Sequence, residues 1–365
     1  MKTKTIFLAI MLLVSQTISA NANDWPMFKG DIQRTGANMS EENLADVSGK
    51  VLWEVACGSN ITSSPSIYGD KIIFGTNDGN VIALMADSGE CEWKFSTDNW
   101  VTSTPAVYDD KVFICGYDSR MYCLNAENGD LIWKFTTHNS IQSSPAVDGD
   151  NVYFGSNDGF VYAVSIKTGW KVWEFKTDAA VTGSPVVADG VCYIGNRNGK
   201  LFAINCKTGK QIWRAIVGGP ITSAPAVSDG HLYFTSQDGF IYCARIKHQA
   251  IIWKFKSGAQ IETSPLIING KVIFGDIAGR ITALEVFTGK KAWKVEAHAS
   301  VFSSPAAYNG KLYIGTNKGV VLTLDINSGK KLGEISLKAD VTTTPAISEG
   351  RMFTATGAGK VYAIR

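Results

Sequence analysis

Pro65, Pro105, Pro145, Pro185, Pro225, Pro265, Pro305 and Pro345 recur every 40 residues without an insertion. Trp53, Trp93, Trp133, Trp173, Trp213, Trp253 and Trp293 form a second ladder of the same period, whose next position is Gly333. A fixed period of roughly 20–50 residues marks stacked copies of one supersecondary unit. The third copy shows its content: Ile141–Val147, a turn at Asp148-Gly149-Asp150, Val152–Phe154, a turn at Asn157-Asp158-Gly159, Val161–Val164, a Lys167-Thr168-Gly169 turn, then Val172–Phe175. Short β-branched and aromatic runs between Asx-Gly and Thr-Gly turns predict a four-stranded antiparallel meander.

Residue sizes select a radial arrangement. The first strand of each unit is Ser, Thr, Ala and Pro, as in Ser63-Ser64-Pro65-Ser66, and the last carries Trp. Small residues inside and bulky ones outside suit blades that converge on an axis. Proline fits an innermost strand whose channel-facing edge needs no donor. Closure can also be counted. Val51–Val55 is already a Trp-bearing fourth strand, whereas Val341–Ile364 supplies only three strands. The expected fold is therefore an all-β, eight-bladed β-propeller of four-stranded antiparallel blades, with the N-terminal strand completing the last one.

The rest of the sequence fits this plan. Lys2 and Lys4, the apolar run Ile6–Val14 and the small-residue site Ala20-Asn21-Ala22 predict a secretory signal peptide over residues 1–22. An N-terminal extension over 23–50 and a single propeller domain over 51–365 follow, in a periplasmic or secreted protein with no transmembrane segment. A net charge of +2 offers no basic field for nucleic acid. A monomer is expected.

The stretches Ala203-Ile-Asn205-Cys-Lys-Thr208-Gly209-Lys-Gln-Ile-Trp213 and Ala283-Leu-Glu285-Val-Phe-Thr288-Gly289-Lys-Lys-Ala-Trp293 resemble the tryptophan-docking motif of the pyrroloquinoline-quinone (PQQ)-like propeller repeat family. The opening Asp24-Trp25-Pro26-Met27-Phe28-Lys29-Gly30-Asp31, with Arg34-Thr35-Gly36, resembles that family's first segment. Two copies depart from the motif: Lys247-His248-Gln249-Ala250 replaces the Thr-Gly turn, and Gly333 replaces Trp. The resemblance implies the propeller fold and two kinds of activity. Its quinone-dependent dehydrogenases hold Ca²⁺ with Glu and Asn oxygens, use an Asp base, and often carry a disulfide between adjacent cysteines. Its non-catalytic, BamB-like members include the lipoprotein scaffold of the outer-membrane β-barrel assembly machinery.

Adjacent cysteines are missing here, and eight units without insertions leave no long loops to build a quinone site. The four histidines have no metal-ligand spacing, and His138 and His298 fall four blades apart. The seven cysteines replace small or apolar residues of other copies, which predicts buried thiols. Hairpin bridges between Cys115 and Cys123 or between Cys192 and Cys206 stay open as alternatives. The expectation is a scaffold without cofactor that binds a protein or peptide partner, with cell-envelope or outer-membrane assembly as the implied setting. A PQQ-dependent alcohol or sugar dehydrogenase and a carbohydrate-binding propeller are the alternatives.

Comparing the copies locates the binding face. The turns after the first and third strands vary little, whereas the loops on the opposite face differ from copy to copy. Trp100, Arg120, His138 and Arg197 stand in those loops, and Glu262 and Phe302 replace the usual Thr where the first strand begins. Aromatic residues and arginine are the types that anchor interfaces, so these six are the candidate site.

Overall fold

The computed structural model describes residues 25–31, 34 and 46–365. The leader expected over residues 1–22 and the mature start expected at Asn23 lie outside them. Eight four-stranded antiparallel sheets surround a central axis. In blade 1 the strands are Ser66–Tyr68, Lys71–Gly75, Asn80–Met85 and Cys91–Ser96, from the axis outward. Blades 2 to 7 repeat this plan. Blade 8 consists of Ala346–Ser348, Arg351–Ala355 and Lys360–Ile364, with Val51–Ala56 as its outer strand. Trp53 stands opposite Ala363 and Val55 opposite Val361. Lys50 and Arg365 exchange both backbone hydrogen bonds at 2.7 and 2.8 Å, so strands from the two ends of the sequence seal the ring together.

Six of the seven outer tryptophans join their blade to the next. The indole N–H of Trp53, Trp93, Trp133, Trp173, Trp253 and Trp293 donates to a backbone carbonyl 33 residues further on, at 2.7–3.1 Å. The same rings lie flat on the glycine of the next blade's Thr-Gly or equivalent turn. Gly129 has φ +75°, and a Cβ there would sit 2.7 Å from the Trp93 ring. Glycine at this turn thus serves both a left-handed backbone and a close approach. Across the sheet the tryptophans face small residues: Ala83 opposite Trp93, Cys123 opposite Trp133 and Cys243 opposite Trp253. This is why cysteine is tolerated at those two positions.

The described cysteines are all free thiols. Cys115 pairs with Met121, and Cys123 with Phe113, so the two are out of register for a bridge. Cys192 faces Ile204, and Cys206 lies past the end of that strand at Asn205. The hairpin-bridge alternatives are therefore not realised. Burial raises the pKa of Cys115 and Cys192 well above the usual thiol value and that of Cys206 to about 11.

The innermost strands are held by a circular run of hydrogen bonds. The backbone N–H groups of Thr104, Ser144, Ala224, Ser264 and Thr344 donate to the Oγ of Ser144, Ser184, Ser264, Ser304 and Ser64, each at 2.9 Å. The acceptor is always a serine of the neighbouring blade. Where Thr104, Ala224 or Thr344 occupies the accepting position, the described residues show no such bond. The small polar first strand is thus more than a steric requirement of the wedge. It supplies the inter-blade acceptors.

Candidate functional site

The Asx-Gly turns after the first strands and the Thr-Gly turns lie on one face, where Ala86 N–H donates to Asp70 at 2.7 Å. The second-to-third-strand turns and the loops between blades share the other face. There they are latched in every blade by one backbone bond, from Asn77 to Asn60 at 2.9 Å and from Tyr117 to Trp100 at 2.8 Å in the first two. The variable residues therefore stand on a rigid frame around the channel mouth.

The other end of the channel is filled by the protein's own N-terminal segment. Trp25 exchanges two backbone bonds with Ile67 of blade 1, at 3.1 and 2.9 Å. The Pro26 carbonyl accepts from Val107 of blade 2 at 2.7 Å, and Met27 packs among blade 2 and 3 side chains. The free edges of the innermost strands are used to bind this segment. Lys29 and Arg34 are completely buried. Lys29 Nζ donates to the Pro265 carbonyl. Arg34 donates to the carbonyls of Pro185 at 2.5 Å, Pro145 at 3.1 Å, Ser144 at 3.2 Å and Phe28 at 3.3 Å, with its guanidinium 5.3 Å from the Phe28 ring centre. Two cations thus bridge carbonyls of blades 3, 4 and 6. Burial pushes Lys29 down to about 7, opposed by the charge of Asp31.

Sequence reading missed this axle. The signal was an apolar Trp25-Pro26-Met27-Phe28 cluster in an otherwise polar extension, with no blade of its own to enter.

Above the axle the channel is a blind cavity of about 170 Å³ with Phe28 at its floor. Its wall is a double ring of first-strand residues, including Ser64, Ser144, Ser184 and Ser264 below and Thr62, Thr102, Thr222, Glu262, Phe302 and Thr342 at the mouth. Glu262 and Phe302 are brought together here, both half-buried. Phe302 is thus a wall of the cavity, not an exposed loop anchor. Glu262 accepts from Gln237 Nε2 at 3.3 Å, and burial raises its pKa while Arg197 lowers it.

The loop residues surround this mouth unequally. Trp100 is half exposed and packs on Tyr117, with ring centres 5.7 Å apart. Tyr117 in turn bonds Gln142 of the mouth. Arg120 is already paired: it bonds Asp98 of the loop between blades 1 and 2 and lies 3.7 Å from Asp118 of its own blade. Arg197 is exposed, and among the described residues its side chain has no hydrogen bond or ion pair. His138 is exposed in the loop between blades 2 and 3, on the opposite side of the ring from His298. The structure brings Glu262 and Phe302 together in the cavity wall and leaves Trp100, Arg120, His138 and Arg197 in the loops and turns of the same face. Among the described residues, no three His, Cys, Asp or Glu groups converge as a metal site.

A family model described as the β-propeller of beta-alanine-activating enzyme matches residues 112–365, and one described as outer membrane protein assembly factor BamB matches residues 42–180. The chain belongs to the PQQ-like propeller repeat family. No curated protein sequence matches it significantly. Among solved structures, this PQQ-like propeller is similar to BamB from Moraxella catarrhalis, at 20% identity and TM-score 0.76, over 87% of this chain and 97% of that one. It is also similar to a europium-containing methanol dehydrogenase, at 15% identity and TM-score 0.79, over 94% and 98% of the two proteins. A quinohemoprotein alcohol dehydrogenase from Comamonas testosteroni matches at 14% identity and TM-score 0.79, over 94% of this chain and 81% of that one. At such identities the likeness is one of fold, and it spans both kinds of PQQ-like propeller. No helix among the described residues is long and apolar enough to cross a membrane.

Proposed function

We propose that this protein is an exported, non-catalytic scaffold that binds a protein or peptide partner on its variable face, in the manner of an envelope assembly factor. The observation that carries this reading is the blind mouth. One end of the channel is closed by residues Trp25–Asp31 and Arg34, and the open end is ringed by copy-specific residues suited to contact, with Trp100, Tyr117 and Phe302 among them. Aromatic anchors around a small recess suit a partner side group inserted into a pocket.

The residues present do not match a calcium-bound quinone. Hard cations need several convergent oxygen ligands. The cavity lining offers one carboxylate, Glu262, whose charged form is disfavoured by burial. Below the floor lie two buried cations, Lys29 and Arg34, which oppose a further positive ion. The match to the BamB model over residues 42–180 supports the scaffold and its envelope setting.

Site-directed photo-crosslinking in native envelopes tests the reading. A crosslinker at Trp100 or Phe302 is expected to give a discrete adduct, and one at Asn128 on the Thr-Gly-turn face is expected to give none. Equal labelling from both faces overturns the assignment of the variable face. Dye-linked alcohol or sugar oxidation on adding PQQ and Ca²⁺ overturns the non-catalytic reading.

A further inference from the structure

The face opposite the mouth divides by charge. Its tips are the turns between the third and outer strands, each tied to the Asx-Gly turn of its own blade by a backbone bond, as from Val286 to Gly270 at 3.0 Å and from Ile326 to Gly310 at 3.2 Å. In blades 1 and 2 these tips carry Asp87, Glu90, Glu127 and Asp130 and no Lys or Arg. In blades 3 to 7 the same five positions, 166–170, 206–210, 246–250, 286–290 and 326–330, contain no Asp or Glu. Lys207, Lys210, Lys247, Lys290, Lys291 and Lys330 stand exposed at or beside those tips. Among the described residues none of the six forms an ion pair, whereas nearby Lys167, Lys171 and Lys331 pair with Asp150, Glu174 and Glu334. The bias is strongest in blades 6 and 7, where Asn269 and Asn309 replace the Asp189 and Asp229 of blades 4 and 5 in the adjoining turns.

Two aromatic side chains project from the same arc. Trp170 is 78% exposed and Phe287 61%. Other blades have Glu90, Asp130, Lys210, Lys290 and Lys330 at the position of Trp170, and Asp87, Glu127, Lys167, Lys207 and Lys247 at that of Phe287. The Trp170 indole makes no hydrogen bond or ring contact among the described residues, and Phe287 meets the His231 ring edge-on with centres 5.6 Å apart. Packing within the blade therefore gives little reason for a large ring at either tip. The two rings sit three blades apart in a ring of eight, with Lys207, Lys210 and Lys247 on the blades between them. No single pocket reaches both, but a flat surface meets both rings and the intervening lysines at once. Lysines are drawn to an anionic bilayer surface, and Trp and Phe rings lodge at the boundary of headgroups and acyl chains. An acidic protein surface would complement the lysines and leave two separated rings without recesses to fill.

We infer that the face opposite the mouth docks on an anionic lipid surface through blades 3 to 7, with the unpaired lysines against headgroup phosphates and Trp170 and Phe287 entering the interface. The mouth then points away from the bilayer. The inference goes beyond the scaffold reading, which concerns the other face, so its failure leaves that reading standing.

The probes are vesicles of phosphatidylglycerol and phosphatidylcholine in equal parts, against vesicles of phosphatidylcholine alone, floated with the mature protein. Binding is expected to be at least about tenfold tighter to the anionic vesicles and to be largely lost when ionic strength rises from about 0.1 to about 0.5 M. Lys290→Glu with Lys291→Glu is expected to weaken it about tenfold or more, whereas Lys318→Glu, on the variable face, leaves it unchanged. Trp170→Ala and Phe287→Ala, at exposed turn positions that leave the fold intact, are each expected to weaken it several-fold. Bromine-labelled phosphatidylglycerol is expected to quench part of the tryptophan fluorescence of the parent and not of Trp170→Ala. Equal binding to both vesicles, no binding at low salt, indifference to the Lys290 and Lys291 changes, equal loss on Lys318→Glu, or quenching that persists in Trp170→Ala each overturns the inference.

Discussion

Lys29 gives a direct test of whether the N-terminal segment is the axle of the ring. Its ammonium is fully buried, bonded to the Pro265 carbonyl, with Asp31 and Arg34 as the neighbouring charges. Burial outweighs Asp31 and brings its pKa from 10.5 to about 7. The unfolded state then holds a proton that the folded state releases between those values, so stability rises with pH across that interval and the full cost is carried below it. At about 1.4 kcal/mol per pH unit, the whole interval corresponds to roughly 5 kcal/mol. The usable window is narrower. Thiols whose pKa is raised by burial begin to stabilise less as the unfolded state ionises near 9, and Arg34, brought down to about 9, adds its own effect only there. Between pH 7 and 8.5 Lys29 acts alone, and the expected gain is about 2 kcal/mol.

The perturbation is Lys29→Met, which keeps most of the length of the side chain and removes its charge. Losing the bond to Pro265 costs on the order of 1–3 kcal/mol, less than the charge costs at low pH. The variant should therefore be more stable than the parent at pH 6, and its stability should be flat from pH 7 to 8.5. Urea midpoints at half-unit pH intervals measure both. A parent with no slope in that window, or a variant with the parental slope, would refute the burial of Lys29 in the channel.

Three further outcomes follow from the inter-blade contacts. Ser264→Ala leaves the Ala224 N–H without its acceptor and should cost about 1–3 kcal/mol, while Ala224→Ser offers Ser184 the acceptor it lacks and should raise stability; equal effects on urea midpoints would sink the serine-ring account. Trp173→Phe should destabilise about 1 kcal/mol more than Trp213→Phe, because Trp173 donates to Cys206 at 2.7 Å and Trp213 makes no such bond among the described residues; thermal melts compare them. Exposed Cys91 should react with a thiol reagent at once, and Cys115, Cys192 and Cys243 only at the rate of unfolding, as timed labelling and mass spectrometry would show.

The propeller was legible because its determinants are periodic. A 40-residue spacing without insertions states the number of units, and the Trp-bearing strand at Val51 states how the ring closes. The axle was not legible, because Trp25, Lys29 and Arg34 occur once and acquire partners only when blades 1, 2, 3, 4 and 6 surround them. The candidate site was legible in part. Position in the repeat placed Glu262 and Phe302 at the mouth, but it could not show that Arg120 is spent on Asp98 while Arg197 is free. Residue type marks a capacity to bind, and only neighbours decide whether that capacity is already used.

The two departures from the repeat carry different information. In the other blades the docking carbonyl and glycine lie on the turn that joins the third strand to the outer strand, but in blade 8 those two strands, Lys360–Ile364 and Val51–Ala56, are not consecutive in the sequence. Because the last blade borrows its outer strand from the N-terminal side, the turn that would receive an indole from position 333 does not exist. Residues 46–49 take over the seam instead: Asp46 pairs with Lys311 at 2.7 Å and accepts from Asn309 at 2.6 Å, and Val47 packs in one cluster with Ile335 and Leu337. Gly333 is thus a consequence of ring closure, and any propeller closed this way should lose its docking tryptophan in the blade before the seam. Gln249 is different. It takes the left-handed backbone with φ +54° after a short 3₁₀ turn, so the glycine cushion under Trp213 is gone although the turn itself survives. The same pair of blades carries a groove of about 510 Å³ at the rim, lined by Ile216, Ile251 and Ile252. Ile216 stands where other blades have Ala56, Ser96, Thr136, Lys176, Lys256, Glu296 and Ser336. A seam relieved of docking at its base and made apolar at its outer strand has been altered twice in one place. Closure accounts for the first departure, whereas this second one is local to blades 4 and 5 and owes nothing to the topology of the ring.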